Sequence, residues 1–313
     1  MKKKLKISIL YGGFSSEREI SIKTGQAIYN ALCNSNKYHV ELIDLTRENY
    51  VEEIYKLKDK NVDLVFIALH GKFGEDGRLQ AILESLNLKY TGCGVLASAL
   101  AMNKHYAKCI FLANNLSTPP WILLRKNDRN FKLNEIKLPV IIKPANEGST
   151  IGVTVAENYS QLLRGIKYAF KFDDQIIIEK YINGREFTVP ILGDEILPLI
   201  EIKPNLNKFY DYKSKYQFGG SAHIIPPKID KRTYKKIEQL AFKAAKSLGC
   251  EVVCRVDVIL EEKTNIPYVL EINTIPGMTP VSLLPESAKY KGMNFKKLVE
   301  KIIYLSLKKY EKK

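Results

Sequence analysis

No stretch of the sequence is apolar for long enough to span a bilayer, so no membrane helix is expected. The basic start, Met1-Lys-Lys-Lys-Leu-Lys, is followed by an apolar stretch of only Ile7–Leu10 before Gly12-Gly13, so no signal peptide is expected either. Cysteine is sparse: Cys33, Cys93, Cys109, Cys250 and Cys254 are odd in number and contain no Cys-x-x-Cys pair. They read as free thiols in a reducing compartment, which predicts a cytoplasmic protein. Histidine is sparser still, with four residues and none at ligand spacing to a cysteine, which argues against a zinc site. The phosphate-loop pattern Gly-x-x-x-x-Gly-Lys-Ser/Thr is absent, as are internal repeats and low-complexity tracts.

What the chain has in excess is lysine. The net charge is +15, and only nine of the 49 cationic residues are arginine. A nucleic-acid binder needs such cations for phosphate contacts. Here they are scattered rather than interleaved with aromatics, which fits a lysine-rich solvated surface and no nucleic-acid partner. The length of 313 residues suggests two or three domains.

Apolar patterning predicts strands at Lys6–Leu10, Val40–Leu45 and Val62–Leu69, with helices between them and at Leu79–Leu86. This alternation implies a parallel sheet, in which ligands gather at the carboxyl ends of the strands. Unusual loops, Gly12–Glu19 and His70–Gly77, follow two such ends. A helix is expected near Val95–Ala113, and a β-rich stretch follows Pro119-Pro120. It contains strands at Leu138–Lys143, Ile151–Ala156 and Ile176–Ile182. A long polar loop, Tyr210–Pro227, precedes an amphipathic helix carrying Ile237, Leu240, Ala241, Ala244, Ala245 and Leu248, with Gly249 as its stop. Strands at Val252–Leu260 and Pro267–Asn273 and a helix around Leu298–Leu307 complete the pattern.

The last two strands carry the most chemistry. Side chains alternate along a strand, so Arg255 and Asp257 share one face, and Glu271 and Asn273 share a face on the next. Val256, Val258, Leu270 and Ile272 then take the other face. Two carboxylates and an amide oxygen suit Mg²⁺, completed by phosphate and water. The alternative is a surface salt-bridge cluster, which must account for the clean apolar face and for the Asn-Thr-Ile-Pro-Gly that follows at once. The Pro144–Thr150 loop after Lys143 could approach phosphate through its backbone, yet alone it fits a plain hairpin turn equally well. Glu179–Ile182 with Glu186 could hold an adenine and a ribose, or could be an ordinary strand end. His70–Gly77 is dense in glycine and charge, as a substrate-orienting loop would be. Ser16 and Glu19 fit a capping box, and Glu17 either complements the helix dipole or binds substrate.

Taken together, six segments resemble the D-alanine–D-alanine ligases of the ATP-grasp superfamily, in the same order and over essentially the whole chain. They are Gly12–Glu17, His70–Gly77, Lys143–Ser149, Tyr210–Tyr216, Arg255–Asp257 and Glu271–Leu283. The resemblance implies an α/β fold: an N-terminal open parallel-sheet domain (1–92), then a two-part α+β ATP-grasp fold (93–179 and 180–313). It implies ATP-dependent joining of two D-alanines through an acyl phosphate, for cell-wall precursors, by a homodimer. By similarity, Asp257, Glu271 and Asn273 hold two Mg²⁺ or Mn²⁺ ions, and Lys104, Lys143 and Lys215 contact phosphates. Glu179, Lys180, Tyr181, Ile182 and Glu186 hold adenosine. Arg255 and the Gly277 N–H form the oxyanion site. Glu17 takes the first ammonium, linked through Ser149 to Tyr216. His70 lies near the first substrate, and Ser282 and Leu283 lie near the second carboxylate. Tyr216 looks like the dipeptide-forming type rather than the D-lactate type. Departures from the family pattern are Val252 and Cys254 before Arg255, Tyr181 in place of a tryptophan, and Pro226-Pro227 at the end of the loop.

Overall fold

The computed structural model describes residues 3–128, 137–204 and 221–311. The chain opens with β1 (Leu5–Gly12), α1 (Arg18–Leu32), β2 (Tyr38–Leu45), α2 (Tyr50–Asp59), β3 (Leu64–Ile67) and α3 (Arg78–Ser85). The strands form a parallel sheet in the order β2-β1-β3, and Tyr90 adds a parallel bridge beside Val65. The strands are apolar on both faces because both faces are covered. Ile7, Ile9, Leu64 and Phe66 pack with Ile28 and Leu32 of α1. Leu10, Val65, Ile67 and Leu45 pack on the opposite side with Ile54, Leu57, Leu79 and Leu83.

Next come α4 (Val95–Met102) and α5 (Lys104–Ala113), where a single helix was expected. Asn103 makes the break. Its backbone is extended, and its side chain accepts from the Tyr106 N–H at 3.1 Å, capping α5. The consequence is that Lys104 stands in the first turn of a new helix. Both helices pack on the C-terminal sheet through Ala97, Ala101, Ala107 and Phe111.

A small antiparallel sheet follows in the order β4-β7-β5-β6, built from β4 (Trp121–Arg125), β5 (Val140–Pro144), β6 (Thr154–Ala156) and β7 (Gln175–Lys180). Helix α6 (Tyr159–Ala169) covers it through Leu162 and Ala169. Strand β6 is shorter than its apolar residues suggest because the turn before it is wide, with Ser149, Thr150 and Gly152 all at positive φ.

The C-terminal sheet runs β11-β10-β8-β12-β13, with β9 paired to β8. Its strands are β8 (Gly184–Leu192), β9 (Glu195–Ile196), β10 (Ile200–Pro204), β11 (Ser221–Ile224), β12 (Val253–Glu261) and β13 (Pro267–Asn273). Helix α7 (Lys231–Ser247) lies on it through Ile237, Ala241 and Ala244. Asp230 caps α7 by accepting from the Arg232 and Thr233 N–H groups at 2.9 and 3.0 Å. Helix α8 (Leu283–Tyr290) was not expected from the sequence. Helix α9 (Phe295–Glu311) returns to the first sheet, where Leu298, Val299 and Ile302 join the core of β1 and α1. Part of the expected polar loop is strand β11, while residues 210–220 of it, including Lys215 and Tyr216, lie outside the described residues. Among those residues no helix is long and apolar enough to cross a membrane.

Candidate active site

Strands β12 and β13 pair antiparallel with Arg255 opposite Asn273 and Asp257 opposite Glu271, so these four side chains share one face. A bulge follows at once, because Val258 pairs with Val269 and Leu270 is the extra residue. The alternation therefore slips: Val269 is buried in the core with Val256, Val258 and Ile272, while Leu270, expected there, is only half-buried. Asp257 is 5% exposed and accepts four hydrogen bonds. They come from Thr188 Oγ1 at 2.6 Å, Arg255 Nε and Nη2 at 3.0 Å each, and Asn273 Nδ2 at 3.1 Å. Thr188 is opposite Asp257 on β8, a support the sequence reading missed.

Among the described residues no three His, Cys, Asp or Glu side chains gather as a metal cage. The opposed carboxylates of Asp257 and Glu271 with the Asn273 amide nevertheless fit a hard cation that completes its shell with phosphate and water. The donor chemistry is all oxygen, with the Arg255 guanidinium on Asp257 and the Lys104 ammonium 3.3 Å from Glu271.

The glycine loop meets this face. Lys104 donates from its backbone to Ala145 O at 2.9 Å and from Nζ to Glu147 O at 2.5 Å. The same ammonium is 3.3 Å from Glu271. Lys143, on β5, holds Glu179 Oε1 at 2.7 Å. Burial works against its charge, but Glu179 outweighs this and keeps the Lys143 pKa above the ordinary lysine value. Gly148 lies against Glu17, where a Cβ would stand 3.0 Å from the Glu17 carboxylate, so a side chain there would push the carboxylate aside. Ser149 Oγ donates to Glu17 Oε1 in a very short bond, and Lys72 pairs with Glu147. The loop is thereby tied to the segments that follow β1 and β3.

Glu17 itself is buried just before α1. The expected capping box does not form, since α1 has no side-chain cap bond and Ser15 takes over locally. Its Oγ accepts from the Glu17 N–H at 3.1 Å and donates to His70 O at 2.6 Å. The His70 ring is buried between Thr24 Oγ1 at 2.9 Å and two partners of Nδ1, Ile275 O at 3.1 Å and Glu75 at 3.3 Å. It joins α1 to the turn after β13. Burial pushes the Glu75 carboxyl up, and the nearby Glu17 charge adds to this. Past Ile275, Gly277 lies beside Ser282, whose Oγ accepts from the Thr279 N–H at 3.0 Å. Leu283 opens α8 and is buried against Ile200 and Ile202.

At the other edge, β7 ends at Lys180. The Lys180 side chain is exposed, Tyr181 is half-buried and Ile182 is buried. Their segment is pinned by Lys180 N–H to Pro120 O at 2.8 Å and Tyr181 N–H to Pro139 O at 3.2 Å. Glu186 is half-buried on β8 between Ile202 and Ile259. Glu179 is 1% exposed and also pairs with Lys108 Nζ at 2.8 Å. Burial opposes the Glu179 charge, but Lys143 and then Lys108 hold its pKa below the usual carboxylate value. Nothing in the sequence singled out Lys108, which looks like any other lysine of a lysine-rich chain. His223, expected in the polar loop, is on β11 and reaches Glu286 at 2.6 Å.

A parallel sheet followed by two antiparallel lobes, with lysines and a glycine loop on one and opposed oxygen donors on the other, defines an ATP-grasp enzyme. Residues 51–93 match the family model described as the D-ala D-ala ligase N-terminus, and residues 110–304 match that of the C-terminus. The D-alanine–D-alanine ligase of Halalkalibacterium halodurans is 44% identical over 311 residues, covering 97% of this chain and all of that protein. The crystal structure of the D-alanine–D-alanine ligase of Bacillus anthracis, complexed with ATP, has a TM-score of 0.85 at 34% identity. It covers 98% of this chain and 99% of that one. The VanG D-Ala:D-Ser ligase of Enterococcus faecalis has a TM-score of 0.83 at 30% identity, covering 97% of this chain and all of its own. The chain belongs to the D-alanine–D-alanine ligase family.

Proposed function

We propose that this chain is a D-alanine–D-alanine ligase that makes D-alanyl-D-alanine for peptidoglycan precursors, converting ATP to ADP and phosphate. The observation that carries the reading is the Lys104 ammonium, which contacts both the glycine loop at Glu147 O and the oxygen-donor face at Glu271. One cation thus brings the two lobes' motifs to a single point, as phosphoryl transfer between them requires.

In the first step a carboxylate oxygen of one D-alanine attacks the γ-phosphorus of ATP, and ADP leaves. The amine of the second D-alanine then attacks the acyl phosphate carbonyl. The tetrahedral intermediate collapses, the nitrogen loses a proton, and phosphate departs with one former carboxylate oxygen. Charge builds on the phosphoryl oxygens and then on the tetrahedral oxygen, so fixed cations and N–H donors do most of the work. Lys104, Lys143 and Lys215 face the phosphates in this reading. Asp257, Glu271 and Asn273 would hold Mg²⁺ or Mn²⁺, two ions in all, which offset charge on the phosphates when bound. Arg255 and the Gly277 N–H face the tetrahedral oxygen. Glu17, linked through Ser149 to Tyr216, takes the ammonium of the first D-alanine, which would also relieve its repulsion of Glu75. His70 lies near that substrate, and Ser282 with Leu283 receives the second carboxylate. Adenosine rests on Glu179–Ile182 and Glu186, so ATP lies between 93–179 and 180–313. We place the enzyme in the cytoplasm, as a homodimer.

Similarity to a D-Ala:D-Ser ligase makes the second substrate the point to test. Phosphate release with Mg-ATP is compared for no amino acid, L-alanine, D-alanine, and D-alanine with D-serine or D-lactate, with products identified by mass. Release with D-alanine alone, and the D-alanyl-D-alanine mass, are expected. Release that needs D-lactate or D-serine would reassign the second substrate.

A further inference from the structure

Lysines 104 and 108 both point inward from α5, one helical turn apart. Lys104 reaches the glycine loop. Lys108 goes deeper and is fully buried. Its ammonium donates to Thr118 Oγ1 at 2.5 Å and Pro119 O at 3.0 Å, and it pairs with Glu179 Oε2 at 2.8 Å. It also stands 5.2 Å from the Trp121 ring centre. The other Glu179 oxygen holds Lys143 at 2.7 Å. A buried cation is costly to maintain, and its retention here needs full pairing. Three groups therefore form one bridge, Lys108–Glu179–Lys143, with two cations sharing a single anion.

We propose that Lys108 is a positioning residue for nucleotide binding, acting through Glu179 on Lys143. Lys108 draws one Glu179 oxygen toward Thr118 and Pro119, away from the cleft. The carboxylate then meets Lys143 with its other oxygen only, and the Lys143 ammonium keeps charge for phosphate. Without Lys108, Glu179 turns fully onto Lys143 and competes with the nucleotide. The proposal rests on the reading of Lys143 as a phosphate contact.

The test is a cycle of Lys108→Met, Glu179→Gln and the double variant, with the ATP Kd by calorimetry and KM for D-alanine. Lys108→Met is expected to weaken ATP roughly tenfold, mid-range for members of one ion-pair network. KM for D-alanine stays within about twofold, whereas general damage to the fold would move both. In the Glu179→Gln background, adding Lys108→Met changes ATP affinity by less than about twofold, because the intermediary is gone. An equal loss in both backgrounds, or no loss in the first, would overturn the proposal. If Lys108→Met alone does not fold, Lys108→Gln takes its place in the same cycle, read by the same criterion. Lys143→Met is the control. Unchanged ATP affinity there would remove the reading of Lys143, while a loss there beside an unaffected Lys108→Met would remove only this proposal.

Discussion

Replacing Thr188 by valine keeps the shape of the side chain and deletes one donor to Asp257. Thr188 is wholly buried on β8, and its hydroxyl is 2.6 Å from Asp257 Oδ1. A hydrogen bond to a charged group contributes about 1.5–3 kcal/mol. Asp257 keeps Arg255 and Asn273 as donors, so the lower end applies, about 1.5 kcal/mol. With an unfolding entropy of about 2.1 cal/mol/K per residue, a chain of this length should lose only about 2 °C in Tm. The larger effect should fall on the cation, because loss of a hydrogen-bonding partner behind a ligand typically weakens metal binding about 10–100-fold. The assay is phosphate release against Mg²⁺ concentration, beside thermal unfolding. A rise of about tenfold or more in the half-saturating Mg²⁺ is expected, with a small Tm change. A wild-type Mg²⁺ curve would refute the reasoning, showing that Thr188 packs against Asp257 without orienting it.

Two further outcomes follow from the same geometry. Glu271→Gln should nearly abolish turnover while leaving the Tm close to wild type, since Glu271 is partly exposed and lies on the open face of β13; near-normal turnover would remove it from the cation site. Arg78 and backbone donors overcome burial to hold the Asp76 carboxyl below its usual pKa, and Lys143 and Lys108 do the same for Glu179. Depressed carboxylates stabilise the fold above the ordinary value of about 4 and lose that contribution as pH falls through the folded pKa. Tm should therefore hold down to about pH 5 and then fall, less steeply in Glu179→Gln, and an equal slope in that variant would contradict the assignment.

The sequence carries the open face of β12 and β13 because a two-residue period survives there in plain view. Arg255, Asp257, Glu271 and Asn273 follow from alternation, and the structure pairs them as alternation demands. The bulge at Leu270 does not follow, since an extra residue leaves no mark in an apolar run. The break between α4 and α5 is equally hidden. Asn103 suits a helix interior poorly, but only its hydrogen bond to Tyr106 makes it a cap. Ser16 and Glu19 show the converse, a correct local pattern overridden when Ser15 takes the Glu17 and His70 backbones instead. Thr188 and Lys108 were invisible because their roles come from partners 69 and 71 residues away, and neither residue type advertises burial. Lys108 runs against expectation, as a buried lysine in a chain whose lysines are mostly solvated.

The acyl phosphate is the central claim, and one label tests it directly. D-Alanine carrying ¹⁸O in both carboxylate oxygens is turned over with unlabelled Mg-ATP, and the released phosphate is analysed by mass. The account predicts one ¹⁸O atom in each phosphate, because the carboxylate oxygen that attacks phosphorus leaves with it. Unlabelled phosphate accompanying D-alanyl-D-alanine would contradict it, since the carboxylate would then have been activated without bonding to phosphorus.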